Sequence, residues 1–280
     1  MCISLHPARF SGTVLCLSEA LHPVTGRFVN TLVYENVREN RKPDGGPNAM
    51  LLHFPSKGMT RENLIDTRDF RGFTKDLIEA VRPRPRSSSN IQLKSATLGG
   101  GRVEVFKHDI YDMVLAQNAA DIPGSLGTVD KEKRPDLNLE VFDYYGSDRN
   151  YDDWSFLLCC FDNLDAQKAA PIMAWYEPLM PNRVMLPGLD AHGIAPDLKE
   201  DVEVDHWVIL GSQEKKSSHM QPVNYTQAGP KMTSLARTLL PKYVSGRHFS
   251  GRMRNGDFVG PVSAFAEGPS ALNRGLLLAS

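Results

Sequence analysis

Hydrophobic and polar positions alternate from the start of the chain. In "CISLH" the side chains of Cys2, Ser4 and His6 alternate with Ile3 and Leu5, so a strand would put the three polar or reactive groups on one face. "TVLCLSEALHPVTGRFVNTLVYENV" then holds two β-rich runs separated by the turn residues "HPVTGR". A polar loop, "RENRKPDGGPNA", leads into the short apolar strand "AMLLHFP", which Pro55 ends.

The spacing of Leu64, Phe70, Phe73, Leu77, Ile78 and Val81 predicts a helix across "TRENLIDTRDFRGFTKDLIEAV", with Thr60 and Asn63 offering capping groups. "RPRPRSSSN" breaks it, because proline forbids continuation. Its basic stretch at 82–86 reads as a solvated connector, since no aromatic residues interleave with the charge as a nucleic-acid arm requires. "IQLKSATLGGGRVEVFKH" predicts a hairpin turning at the triple glycine, and "DIYDMVLAQNAA" a short helix with Asp109 near its start. Strands are predicted at "NLEVFDYYG", "DWSFLLCCFDN" and "VEVDHWVILGS", the second apolar enough to be central. A helix in "TSLARTLLPKYV" stops near Pro241, and "RHFSGRMRNGDFVGPV" predicts a C-terminal hairpin turning at Asn255-Gly256. Five prolines between Pro171 and Pro196 mark an irregular excursion near 171–200.

Many strands with few helices predict an α+β fold of layered, largely antiparallel sheets with flanking helices. The 280 residues fit a single such domain. Lys and Arg total 32 against 33 Asp and Glu, so no global charge draws the chain to duplex nucleic acid or an anionic membrane. No apolar run approaches the length of a membrane helix, and no signal-peptide pattern opens the chain. Cys2, Cys16, Cys159 and Cys160 make no C-x-x-C pair and no disulfide framework, which suits a reduced, cytoplasmic protein.

Cys2 is the leading chemical candidate. Removal of Met1 would leave one residue holding both a thiol and an α-amine, and that amine can serve as base for its own side chain. The "MC" start, together with "GGPNAMLLHFPS" ahead of a helix, resembles the cysteine branch of the N-terminal-nucleophile (Ntn) hydrolases, which includes bile-salt hydrolases and penicillin V acylase. The resemblance covers about the first eighty residues. It implies a four-layer αββα fold, Cys2 as nucleophile, Asn48 beside the substrate and hydrolysis of an amide without a cofactor. The branch also expects an arginine and an aspartate soon after the second strand, and "VLCLSEAL" supplies neither.

A second group lies in "LPGLDAHGIAPDLKEDVEVDHWVILGS". Asp190 and His192 face the same way in an extended segment, while Asp205 and His206 diverge in a regular strand. Asp190, His192 and His206 could support catalysis at Cys2, or hold a metal as a separate hydrolase centre. The aromatic group Tyr144, Tyr145, Tyr151 and Trp154 could line a pocket, with Tyr145 touching substrate, or form an interface. The leading expectation is therefore a cysteine amidohydrolase acting on a small amide or peptide. Its rival is a non-catalytic protein that binds a protein partner through the 171–196 excursion and the aromatic surface.

Overall fold

The alternation read from the sequence is realised as three sheets. The computed structural model describes residues 3–6, 9–39, 45–82, 103–137, 139–147, 151–226 and 231–277. Strand labels run in chain order. The first sheet contains, edge to edge, β11 (Ala191–His192), β1 (Ile3–Ser4), β4 (Pro47–Phe54), β8 (Ser155–Asp162), β7 (Tyr111–Ala116) and β6 (Val103–His108). The second contains β13 (Gln221–Pro222), β14 (Tyr243–Arg254), β12 (Asp201–Ser212), β2 (Arg9–Leu21), β3 (Phe28–Glu39), β9 (Ile172–Tyr176) and β5 (Leu64–Ile65). A small third sheet joins β10 (Arg183–Leu186), β15 (Asp257–Pro261) and β16 (Asn273–Gly275). Pairing is antiparallel except at β1–β11 and β2–β12.

The helices are short: α1 (Phe73–Val81), α2 (Ile122–Ser125), α3 (Leu139–Ser147), α4 (Ser234–Leu239) and α5 (Ala264–Glu267). The two large sheets pack face to face. Leu15, Leu17, Leu32 and Tyr34 of the second sheet share a core with Met50, Leu52, Phe54 and Leu157 of the first. The far face of the first sheet buries Leu51, Val114, Leu158 and Cys160 against Ile122 of α2 and Phe142 of α3. The far face of the second buries Val14, Cys16, Val33 and Ile209 under Phe73 and Leu77 of α1 and Leu239 of α4. The chain is an α+β layered fold. β4 and β8 are apolar at almost every position because both of their faces are covered.

Several expectations are corrected. Asp109–Ala120 is not a helix. Residues 111–116 form β7, buried throughout, and Asp109 sits at φ +53° in the tight turn from β6. "RVEVFKH" therefore pairs forward with β7, while the triple glycine and most of "RPRPRSSSN" lie outside the described residues. "LEVFDYYG" is helix α3 rather than a strand, with Val141, Phe142 and Tyr145 on its buried side. The helix expected from Thr60 condenses to α1. Ahead of it, Thr60 and Asn63 cap a single 3₁₀ turn, and Leu64–Ile65 adds a strand. The 171–200 excursion is broken by three short strands, β9, β10 and β11, and is irregular between them.

The C-terminal hairpin is also corrected. Asn255-Gly256 joins two strands that never pair, because β14 belongs to the second sheet and β15 to the third. Gly256 sits at φ +151°, and a Cβ there would lie 2.6 Å from the backbone nitrogen of Gly275. Replacing it means moving β16. Gly256→Val is expected to lower the unfolding free energy by about 2 kcal/mol or more. A urea titration with an unchanged midpoint would contradict this packing.

Candidate functional site

β1 threads between β4 and β11 and so brings the start of the chain to the second candidate group. Ser4 lies opposite His192 in the parallel β1–β11 pair. The Ser4 hydroxyl donates to the His6 carbonyl at 2.9 Å and lies 2.7 Å from His192 Nδ1. His192 Nε2 stands 3.2 Å from Asp190 Oδ1, close enough for an ion pair but not aligned as a hydrogen bond. The residue types are serine, histidine and aspartate, yet Ser4 is fully buried, with its hydroxyl held between the His6 carbonyl and His192 Nδ1. The arrangement ties β1 to β11.

Asp190 and His192 do meet, as their spacing predicts. His206 does not join them: it is buried in β12 of the other large sheet, with its ring 5.9 Å from that of Phe258. Its neighbour Asp205 points the other way. Its carboxylate accepts from the Gly12 amide at 2.7 Å, at the bulge of β2, and contacts His248 Nε2 at 2.8 Å. The Gly12 amide, with help from His248, holds the Asp205 carboxyl below its usual range. Among the described residues no three His, Cys, Asp or Glu side chains cluster as metal ligands, so Asp190, His192 and His206 do not form a metal centre. Asn48 is buried in β4, where its side-chain oxygen accepts from the amides of His6 and Ala49. Cys2 lies outside the described residues.

Three of the four aromatic residues are core, and Tyr144 is partly buried against them. Tyr145, Tyr151 and Trp154 surround His53 of β4 and are themselves buried. Tyr145 OH is 3.4 Å from His53 Nδ1, and burial pushes the phenol well above its usual range. His53 Nε2 lies 2.9 Å from Asp257 Oδ2. The second oxygen of Asp257 accepts from the amides of Gly188 and Leu189 at 2.8 and 3.1 Å. Arg274 closes this network by donating to the carbonyls of Gly188 and Arg254, and burial lowers its guanidinium to about 10. The sequence reading missed the pair. A single histidine inside the apolar run "AMLLHFP" was the available signal, since such a histidine needs a buried partner.

Asp257→Ala leaves His53 and two amides buried without their acceptor and is expected to cost about 3–5 kcal/mol. Asp257→Asn keeps one acceptor oxygen and should cost less; equal losses for the two variants in chemical denaturation would refute this account. Thiol reactivity supplies a second check. Cys16, Cys159 and Cys160 are fully buried, and burial raises Cys16 far above the usual thiol range and Cys160 to about 12. Iodoacetamide should label none of the three until the protein unfolds; rapid labelling of any one, mapped by peptide mass, would contradict that burial.

The surface shows a different kind of feature at the β2–β3 hairpin. Leu21 and Phe28 lie directly opposite each other and therefore share a face. They are 64% and 40% exposed, and Val24 between them is 45% exposed. The turn that carries them is fixed. His22 and Arg27 pair through the backbone, Gly26 donates to the His22 carbonyl, and the buried His22 ring lies 4.4 Å from Trp175. An Arg27–Glu177 ion pair at 3.0 Å braces its flank.

No family model matches the sequence, and no curated protein matches it. Among solved structures, the fold is similar to the crystal structure of baculovirus P35, with a TM-score of 0.43 and 10% identity over 93% of this chain and 91% of that one. It is also similar to a mutated baculovirus P35 after caspase cleavage, with a TM-score of 0.39 and 12% identity over 90% of each chain. No helix among the described residues is long and apolar enough to cross a membrane.

Proposed function

We propose that this chain acts by binding another protein, without catalysis of its own. The observation that carries the reading is the apolar tip formed by Leu21, Val24 and Phe28. Large apolar side chains grouped at a protruding turn lose hydration free energy until something covers them. The turn is braced by its own hydrogen bonds and by the Arg27–Glu177 pair, so little conformational entropy is lost when it docks. The burial of most of the polar groups weighed for chemistry supports the same reading. Ser4, Asn48, Tyr145 and His206 are all buried and each takes part in a hydrogen bond, while Asp190 and His192 are partly exposed and face each other. The partner surface moves from the aromatic group, which is mostly core, to the hairpin tip.

The test is the double variant L21E/F28E. A protein captured by the wild-type chain from an extract of the producing organism is purified and titrated against both forms. The variant is expected to keep the wild-type melting temperature and to lose affinity on the order of a hundredfold, the effect of two truncated hot-spot side chains. Equal affinity in the two forms would overturn the reading. So would wild-type protein that captures nothing, or that turns over an amide substrate with the activity lost in Cys2→Ala.

A further inference from the structure

Strand β14 has two hydrogen-bonding edges, and among the described residues only one of them is paired along its whole length. On one side it pairs with β12 along its whole length, from Tyr243 to Arg254. On the other, β13 covers only Tyr243 and Val244. Among the described residues no further strand lies against Ser245–Arg254. In an antiparallel ladder alternate residues turn their amide and carbonyl groups away from the partner. From Ser245 onward those groups form an open row, which is a template for one more strand.

The side chains along this row say what kind of strand fits. Arg247, His248, Ser250, Arg252 and Arg254 are exposed, and β14 contains no acidic residue. Arg254 pairs with Asp201 at 3.1 Å, and His248 with Asp205 at 2.8 Å. Arg247 and Arg252 differ. Arg247 lies over the Phe249 ring at 5.0 Å and donates to the Ser270 hydroxyl, while Arg252 donates to the Asp201 carbonyl. Neither pairs with a carboxylate among the described residues. They are five residues apart in a continuous register, and Arg247 shares the face of Phe249 and Met253, which pack on the core, so Arg252 stands on the opposite face. Beside them, Trp207 is half-buried between the His248 ring at 4.9 Å and the Arg82 guanidinium at 5.9 Å. Tryptophan and arginine together are the usual residues of a binding hot spot.

We propose that the open edge of β14 at Ser245–Ser250 receives an extended acidic segment of a partner protein as an added strand, with one carboxylate meeting Arg247 and another meeting Arg252. This rests on the protein-binding reading and adds the partner's chemistry and a second surface. Gly251 sets the end of the paired stretch, because its φ of +93° departs from strand geometry. Arg252 stands just beyond and takes the second carboxylate. A second copy of the chain is a poor occupant. Pairing β14 with β14 would gather three arginines from each copy with no carboxylate on either strand. The backbone ladder supplies affinity, and the charges select the partner and speed its approach.

The probe is a fluorescein-labelled synthetic peptide of alternating valine and threonine that carries two carboxylates, titrated against the full chain. The same peptide with lysines in place of the carboxylates is the control. The acidic peptide is expected to bind, to weaken at least about tenfold between roughly 0.05 and 0.5 M salt, and to protect the amides of Ser245–Ser250 from hydrogen exchange. R247E/R252E should lose affinity on the order of a hundredfold while R247K/R252K keeps most of it. L21E/F28E should bind the peptide like wild type, so a failure at the hairpin tip and a failure at this edge are distinguishable. The proposal is overturned if the lysine peptide binds equally, if R247E/R252E binds as wild type does, or if the amides of Ser245–Ser250 gain no protection. A dimer whose exchange protection maps to Ser245–Ser250 would overturn it in favour of a second copy.

Discussion

The buried contact between His53 and Asp257 is the constraint on which the rest of the structure depends. Asp257 has no exposure to water, and an isolated carboxylate in that position would be prohibitive. It is tolerable because the imidazole and two backbone amides all point at it. Those partners come from different parts of the fold. His53 belongs to the first sheet, Asp257 to the third, and Gly188 and Leu189 to the segment running toward His192. The residue two before Asp257 extends the clamp: Asn255 bonds the backbone of Asp190 in both directions and the Asp197 carbonyl. One three-residue step, Asn255-Gly256-Asp257, thus joins three sheets and fixes where β11 meets β1. The Ser4–His192 contact is a consequence of that junction, which accounts for a serine, a histidine and an aspartate being near one another.

How much of this was legible follows from where local pattern and tertiary context agree. The strands β2, β3, β4, β8 and β12 were readable because strict alternation, or apolar runs bounded by turn residues, leave little choice. "IYDMVLA" was ambiguous, since a short apolar run fits a buried strand or a buried helix until its neighbours are known. "LEVFDYYG" misled through its β-favouring aromatics, although Val141, Phe142 and Tyr145 also keep helical spacing. Asn255-Gly256 carried a strong hairpin signal, but that signal is local, and the flanking strands were claimed by different sheets. Whether two strands pair is decided by the whole sheet order, which no short window contains. The candidate residues fared in the same way. Asp190 and His192 were found together because two-residue spacing is a local matter, whereas His206 and Tyr145 were assigned to a site by residue type and are held in the core by packing.

The edges of the sheets show which surface of this protein is unusual. An exposed strand edge invites unwanted pairing, and the ordinary protection is brevity. β5, β11 and β13 have two residues each, β16 has three, β10 four and β6 six. β14 has twelve, and among the described residues no strand pairs with most of its second edge. Its protection is charge instead, with arginines on both faces and a left-handed glycine interrupting the run. Charge of one sign repels a second copy of the same strand but attracts a strand of opposite sign, so this protection is selective where brevity is not. The β2–β3 tip belongs to the same sheet. By register Glu19, Ser212 and Tyr243 lie in one row across it, and Leu21 and Phe28 project beyond that row. From β14 to β3 is three strand spacings, about 14 Å. Along β14 the pair with β13 at Tyr243 and Val244 stands between the stretch after Ser245 and the end of the sheet that carries the tip, so the two surfaces share one sheet but are separated by that strand.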